Sequence, residues 1–471
     1  MRNVKWGMLL AAGLSVVLGG CAGGMSASST HGTKKSPHGA PLRVGVILPL
    51  SGEFGVYGRA SLDGVDCAAG QKSPCESRLN VQIVTRDDGG NPAKATTAVR
   101  ELVEQEHVAA IIGPLMAKST MAAAQEAQRL QVPLLSLSRL DGVAEVGPYT
   151  YRVALTPEAQ VNTIARFAVQ DRGYKKFAIV YPNNNFGQAF RDLFRTAVQT
   201  LGGEITVERA YSQNLAGIIE ASKGVHNITD DDNKNKPRQK ISTNGEVVDP
   251  ATASSEPPPV PSFAKIRGVD AVFIPDSYPN LAAMFSAYSR NVFGGAALLG
   301  VNNWNSSGLL SAGSAVEGAT FVDGFFRSSA NKETQRFVST FSQAYNSEPT
   351  LLEATAYDAM HIIALAAERG GVSAGKVQHG LQGLKKFNGV TGGLHFNSSG
   401  DVDRDLYVLT VSSGQIVEVG LRKSQLSRVL PTGAPQPLQR TARAPTNPKY
   451  DVGGDAGAFE AASPMAQKYG K

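Results

Sequence analysis

From Leu42 the chain alternates short apolar runs with longer segments of helix formers, the pattern of parallel strands covered by helices. Runs at 42–49, 79–85, 108–113 and 133–138 read as buried strands. Between them, 59–69, 93–106 and 119–130 carry apolar residues at helical spacing, with Ser119 or Thr120 placed to cap the third helix. Four strands with three crossovers predict one doubly wound lobe. A second lobe follows, with strands at 176–181, 204–211, 269–275 and 296–301 and helices near 158–171, 188–201 and 280–290.

The two lobes open alike. A strand ends at Pro49 or Pro182, a polar turn follows, and an aromatic-glycine pair, Tyr57-Gly58 or Phe186-Gly187, starts a helix. That echo puts equivalent loops at the carboxyl ends of strands in both lobes, the edge at which open parallel sheets bind ligands. Two facing edges would enclose a crevice.

Three segments break the pattern. Residues 223–262 hold Asp230-Asp231-Asp232 and Pro257-Pro258-Pro259, too polar and proline-rich for a core, and read as a disordered insertion; the tail 422–471 reads the same way. At the N-terminus, Arg2 and Lys5 precede an apolar run from Trp6 to Leu18, too short to span a bilayer and closed by Gly19-Gly20-Cys21, which reads as a secretory signal over 1–20. Leu18-Gly19-Gly20-Cys21 resembles the lipobox of bacterial lipoproteins. That resemblance implies cleavage before Cys21, lipidation of Cys21, and a flexible tether over 21–41; Ala22 behind the cysteine resembles the signal for the inner leaflet of the outer membrane. The competing reading is an ordinary cleaved leader.

Charge then narrows the partners. Of 46 Lys+Arg, Arg2 and Lys5 leave with the leader, so 44 face 40 Asp+Glu, a net +4 that argues against nucleic acid. With Cys21 assigned to lipid, Cys67 and Cys75 remain, either bridged across a short loop or as two free half-buried thiols. No metal framework can be built from so few cysteines, and no cofactor motif is present.

Leu50-Ser51-Gly52, Asp87-Asp88, Ile112-Gly113-Pro114 with Ser119-Thr120, Asn185-Phe186-Gly187 and Tyr357-Asp358-Ala359 together resemble the type I periplasmic binding proteins of the branched-chain amino-acid receptor group, over about 42–421. The resemblance implies an α/β fold of two doubly wound lobes with central parallel sheets joined by a three-strand hinge. One lobe would comprise 42–156 plus 325–395 and the other 157–324 plus 396–421. It also implies a non-enzymatic solute-binding protein that closes on its ligand and serves an ABC permease. A narrower resemblance, carried by Phe273-Ile274-Pro275-Asp276, Asn303-Trp304-Asn305 and Val322-Asp323-Gly324-Phe325-Phe326, is to penicillin-binding-protein activator lipoproteins, which touch a wall-synthesising enzyme instead.

In amino-acid receptors of this group, hydroxyls and backbone amides hold the ligand carboxylate and an acid holds its ammonium. Here Ala117, Leu140 and Asn302 stand at those positions. Lys118 and Arg139 are their neighbours, beside the amides at the start of the Ser119 helix, and this predicts a ligand with negative charge and no free α-amino group. The opposing reading turns both cations to solvent. Ser119, Ser138 and Asn302 complete the polar set, Tyr57, Phe186 and Trp304 supply aromatic walls or core, and Asp276 either accepts a ligand hydrogen bond or caps a helix. Gly371-Val372-Ser373-Ala374-Gly375 spells a nucleophile elbow but follows a helix, and Ser329-Ala330-Asn331-Lys332 spells S-x-x-K without its companion motif, so neither predicts an enzyme.

Overall fold

The computed structural model describes residues 40–75, 77, 80–212, 226–227, 264–265, 268–287, 293 and 295–419. The signal, Cys21, the tether up to residue 39, the tail from 422 and nearly all of the insertion lie outside them. Across the insertion, His226–Asn227 pairs with Ala264–Lys265 as a two-strand ladder.

Five parallel strands make the first sheet: β1 (Leu42–Leu48), β2 (Val81–Asp87), β3 (Ala110–Ile112), β4 (Leu134–Ser136) and β5 (Thr150–Arg152), in the order β2-β1-β3-β4-β5. Helices α1 (Gly55–Ala68), α2 (Pro92–Arg100) and α3 (Ala117–Arg129) connect them. Period-2 alternation in β1 sends Val44, Val46 and Leu48 to one core and Ile47 to the other, so both faces are covered. β5 is one strand more than the pattern predicted, because three residues are too few to show a period.

The second sheet contains β6 (Lys176–Pro182), β7 (Glu204–Tyr211), β8 (Ala271–Phe273), β9 (Ala297–Gly300) and β10 (Thr320–Asp323), all parallel. Helices α4 (Pro157–Arg166), α5 (Asn185–Thr200) and α6 (Tyr278–Ala287) flank it. Ala178 and Val180 of β6 face one core, Phe177, Ile179 and Tyr181 the other. Both lobes are thus doubly wound, as the alternation predicted.

The echo at the lobe openings has a packing cause. A Cβ on Gly58 would stand 2.0 Å from the Pro49 carbonyl oxygen, and one on Gly187 would stand 2.1 Å from that of Pro182. In each lobe the helix start presses on the proline that ends the strand, and only glycine permits that approach.

Beyond β10 the chain returns to the first lobe through α7 (Lys332–Tyr345), α8 (Leu351–Gly370) and α9 (Ala374–Gln382). α8 lies against α1, close enough that a Cβ on Gly64 would stand 2.2 Å from the Glu353 carbonyl oxygen. An antiparallel sheet of β11 (Phe387–Gly389), β12 (Gly392–Phe396) and β13 (Val402–Arg404) follows, and then β14 (Tyr407–Ser412) and β15 (Gln415–Glu418) add antiparallel strands beside β10. Phe396 and Val402 pack in the first lobe's core, and Tyr407 in the second's. The last crossing therefore falls between Arg404 and Tyr407 rather than after 395. Its neighbour in space is the first crossing, tied by the Arg152–Asp401 bridge.

Candidate functional site

A cavity of about 360 Å³ opens where the carboxyl ends of both sheets meet. Leu115 follows β3, Leu137 and Arg139 follow β4, and Ala154 and Leu155 follow β5; from the other lobe come Asn302, Asn303, Asn305, Ser306 and Ser307 after β9 and Asp323 at the end of β10, and Phe325 and Arg327 follow it. Tyr57 of α1 and the 347–355 start of α8 close the ring.

Arg139 is half-buried and its loop is held from below. Arg152 donates through Nη1 to the Leu140 carbonyl at 2.9 Å and the Arg139 carbonyl at 3.2 Å, while Nε and Nη2 grip both oxygens of Asp401 at 2.6 and 2.8 Å. A bidentate ion pair of this kind fixes direction as well as charge. The Ser138 hydroxyl accepts from the Leu140 amide at 3.2 Å, so it shapes the same loop rather than lining the cavity.

Asp323 is the acid that the sequence reading missed. One oxygen accepts from the Gly324 amide at 2.6 Å and the other from Asn305 Nδ2 at 2.8 Å. Burial raises its pKa to about 7, against the pull of those donors and of Arg139. Burial likewise depresses Arg139, and Asp323 opposes that shift. The acid at the cavity is therefore Asp323, not the Asp276 named from the sequence. Glu353 and Glu348 also border the cavity, yet Glu353 caps its own helix through Thr350 and Glu348 pairs with Arg327.

Of the predicted residues, Tyr57, Arg139 and Asn302 line this cavity. The Asn302 amide is held by Gln160 Oε1 at 2.9 Å. Lys118 is exposed, because α3 begins at Ala117 and buries positions 117, 119, 120, 123, 124 and 127, leaving 118 outward. For the same reason Ser119 sits inside the first turn instead of capping it; its hydroxyl donates to the Met116 carbonyl at 3.1 Å and bonds to Asp88. Ala117 is buried at that helix start and Leu140 is half-buried on the Arg139 loop, and neither is among the residues that line the cavity.

Phe186 belongs to the second lobe's core, its ring 4.6 Å from that of Phe190. Trp304 is fully buried, its indole over Gly300, where a Cβ would stand 2.2 Å away. Asp276 accepts from the Ser277 amide at 2.7 Å, from Asn280 and from the Tyr211 hydroxyl, a closed network outside the cavity. Cys67 and Cys75 form a disulfide. Ser373 stands at the N-cap of α9 and Lys332 opens α7, so neither enzyme spelling forms a site.

Two α/β lobes, three crossings and a cavity between facing strand ends define a type I periplasmic binding protein. The chain belongs to the Periplasmic binding protein family, whose model matches residues 41–221 and 236–415. Leu/Ile/Val-binding protein homolog 6 of Brucella abortus is 28% identical over 166 residues, 35% of this chain and 42% of that protein, so the match spans less than half of that relative's length. Among solved structures, a putative branched-chain amino acid ABC transporter from Rhodospirillum rubrum has a TM-score of 0.64 at 20% identity, covering 80% of this chain and 100% of that one. A solute binding protein of an ABC transporter from R. palustris, in complex with 4-hydroxybenzoate, has a TM-score of 0.57 at 19% identity, covering 81% and 96%.

Proposed function

We propose that this chain is a solute receptor, anchored through Cys21 in the periplasm at the inner leaflet of the outer membrane, that closes its lobes on a small organic carboxylate and presents it to an ABC permease. The observation that carries the reading is Arg139, set in a cavity wall that also presents the apolar surfaces of Tyr57, Leu115, Leu137 and Phe325. A carboxylate there gains a charge-assisted bond, and its apolar body is removed from water. Asp323 only partly offsets Arg139 near neutral pH, since burial raises its pKa to about 7. Asn302, in place of the family's acid, favours a ligand without an ammonium group.

Thermal stabilisation of the full chain by 4-hydroxybenzoate, benzoate and L-leucine tests this. The two aromatic carboxylates are expected to raise the melting temperature, and leucine is not. Stabilisation by leucine alone would turn the reading toward a zwitterion shared by Arg139 and Asp323, and stabilisation by none would remove it. The other reading, activation of a penicillin-binding protein through surface contacts, draws on landmarks that are mostly buried: Phe273, Ile274, Trp304, Phe325 and Phe326 present no outward face.

A further inference from the structure

Arg404, the last residue of β13, stands where all three crossings between the lobes meet. Its Nη2 donates to the carbonyl of Val153, in the first crossing. A Cβ placed on Gly324, in the second, would stand 3.4 Å from Nη1. Arg404 itself begins the third. It is 8% exposed, and its Nε and Nη1 have no hydrogen-bond partner among the described residues. A buried guanidinium with two unmet donors is an expensive arrangement if the hinge has only one state.

Two acids act on it without bonding to it. Asp358, on α8 in the first lobe, is already engaged with the Val390 and Thr391 amides at 2.9 Å and with the Thr391 hydroxyl at 2.6 Å. Asp323, at the end of β10, rides on the second lobe. Arg404 and Asp358 sit on first-lobe elements, so their separation is insensitive to the lobe angle. The separation of Arg404 from Asp323 changes with it. The gap left by Gly324 keeps that approach open, since a side chain there would also meet Leu351 Cδ1 at 3.2 Å.

We propose that Arg404 is a positioning residue for lobe closure: rotation of the second lobe brings Asp323 onto its unpartnered arm, and this bond holds a second lobe arrangement. The inference rests on the reading that the lobes move, and it is independent of which solute they enclose. An arm that simply holds a water in a rigid hinge would give one lobe arrangement whatever stands at 404.

The test uses the full chain with Cys21→Ser and spin labels at Lys118→Cys and Gln199→Cys, both exposed positions, one on each lobe. Pulsed EPR without added solute is expected to show two interlobe distances. Arg404→Met is expected to cut the second population at least tenfold, with Arg404→Lys intermediate. Should the methionine variant fail to fold, Arg404→Lys and Gly324→Val carry the test, and both are expected to deplete the second distance. A single distance in the parent, or an unchanged distribution in every folded variant, overturns the proposal. Failure of the carboxylate reading is seen separately, as no response of the parent to 4-hydroxybenzoate.

Discussion

Asp323 and Arg139 meet in one cavity from opposite lobes, the acid at the end of β10 and the cation in the loop after β4, and each perturbs the other's protonation. Neither could be assigned a ligand role by burial alone. Their pairing makes the cavity's charge depend on pH and on what enters it.

Removing the cation should separate binding from folding. Arg139→Ala is expected to weaken 4-hydroxybenzoate binding roughly 30- to 140-fold, the loss of a charge-assisted hydrogen bond of about 2–3 kcal/mol. Lys118→Ala should leave affinity unchanged, because its side chain is outside the cavity. Titration calorimetry of both variants decides it, and equal losses would mean that the binding face is α3.

The acid predicts a pH dependence of stability. Asp323 holds its proton to about pH 7 in the folded chain, whereas an ordinary aspartate loses its own near 3.8. Between those values the folded state binds the extra proton, so stability falls as pH rises through the window, by at most about 4 kcal/mol. Asp323→Asn does not titrate, and its melting temperature should gain on the parent's from pH 4 to pH 8. Calorimetric scans across that range would contradict this if the difference stayed flat.

Much of this fold could be read in advance because its rules are local. The alternation of Val44, Gly45, Val46 and Ile47 declares a strand covered on both faces, and Arg139 reaches the cavity because it follows a strand end. Lys118 was misplaced although the spacing of Ala117, Thr120, Ala123, Ala124 and Ala127 already put the buried face of α3 elsewhere. In the sequence Asp323 stands out only as part of the Val322-Asp323-Gly324-Phe325-Phe326 landmark, with nothing local to show that it faces Arg139. Arg152 and Arg404 could not have been found: their partners Asp401 and Val153 lie 249 and 251 residues away, and no local pattern encodes such contacts.

The Cys67–Cys75 bridge ties the last turn of α1 to the following loop, beside Phe325, Phe337 and Phe341. Closing so short a loop restricts the unfolded chain by about 2–3 kcal/mol. Cys67→Ser with Cys75→Ser is expected to lower the melting temperature by a few degrees, and reductant should do the same to the parent but not to the variant. A parent indifferent to reductant would show that the bridge adds nothing.

Trp304 separates a core aromatic from one that stacks on ligand. Its indole is fully buried, packs 6.1 Å from the Phe321 ring, and carries an Nε1 with no hydrogen-bond partner among the described residues. Trp304→Phe therefore sacrifices volume but no hydrogen bond, and should destabilise by about 1–2 kcal/mol. Trp304→Ala, leaving a larger cavity, should destabilise by about 3–5 kcal/mol. Because Asn302, Asn303 and Asn305 on either side do line the cavity, the alanine variant should also bind more weakly, through loosening of their loop. The phenylalanine variant should bind 4-hydroxybenzoate as the parent does. Denaturant unfolding and calorimetry on the same preparations separate the two roles: an indole that stacked on ligand would reverse the order, with affinity falling in Trp304→Phe while stability held.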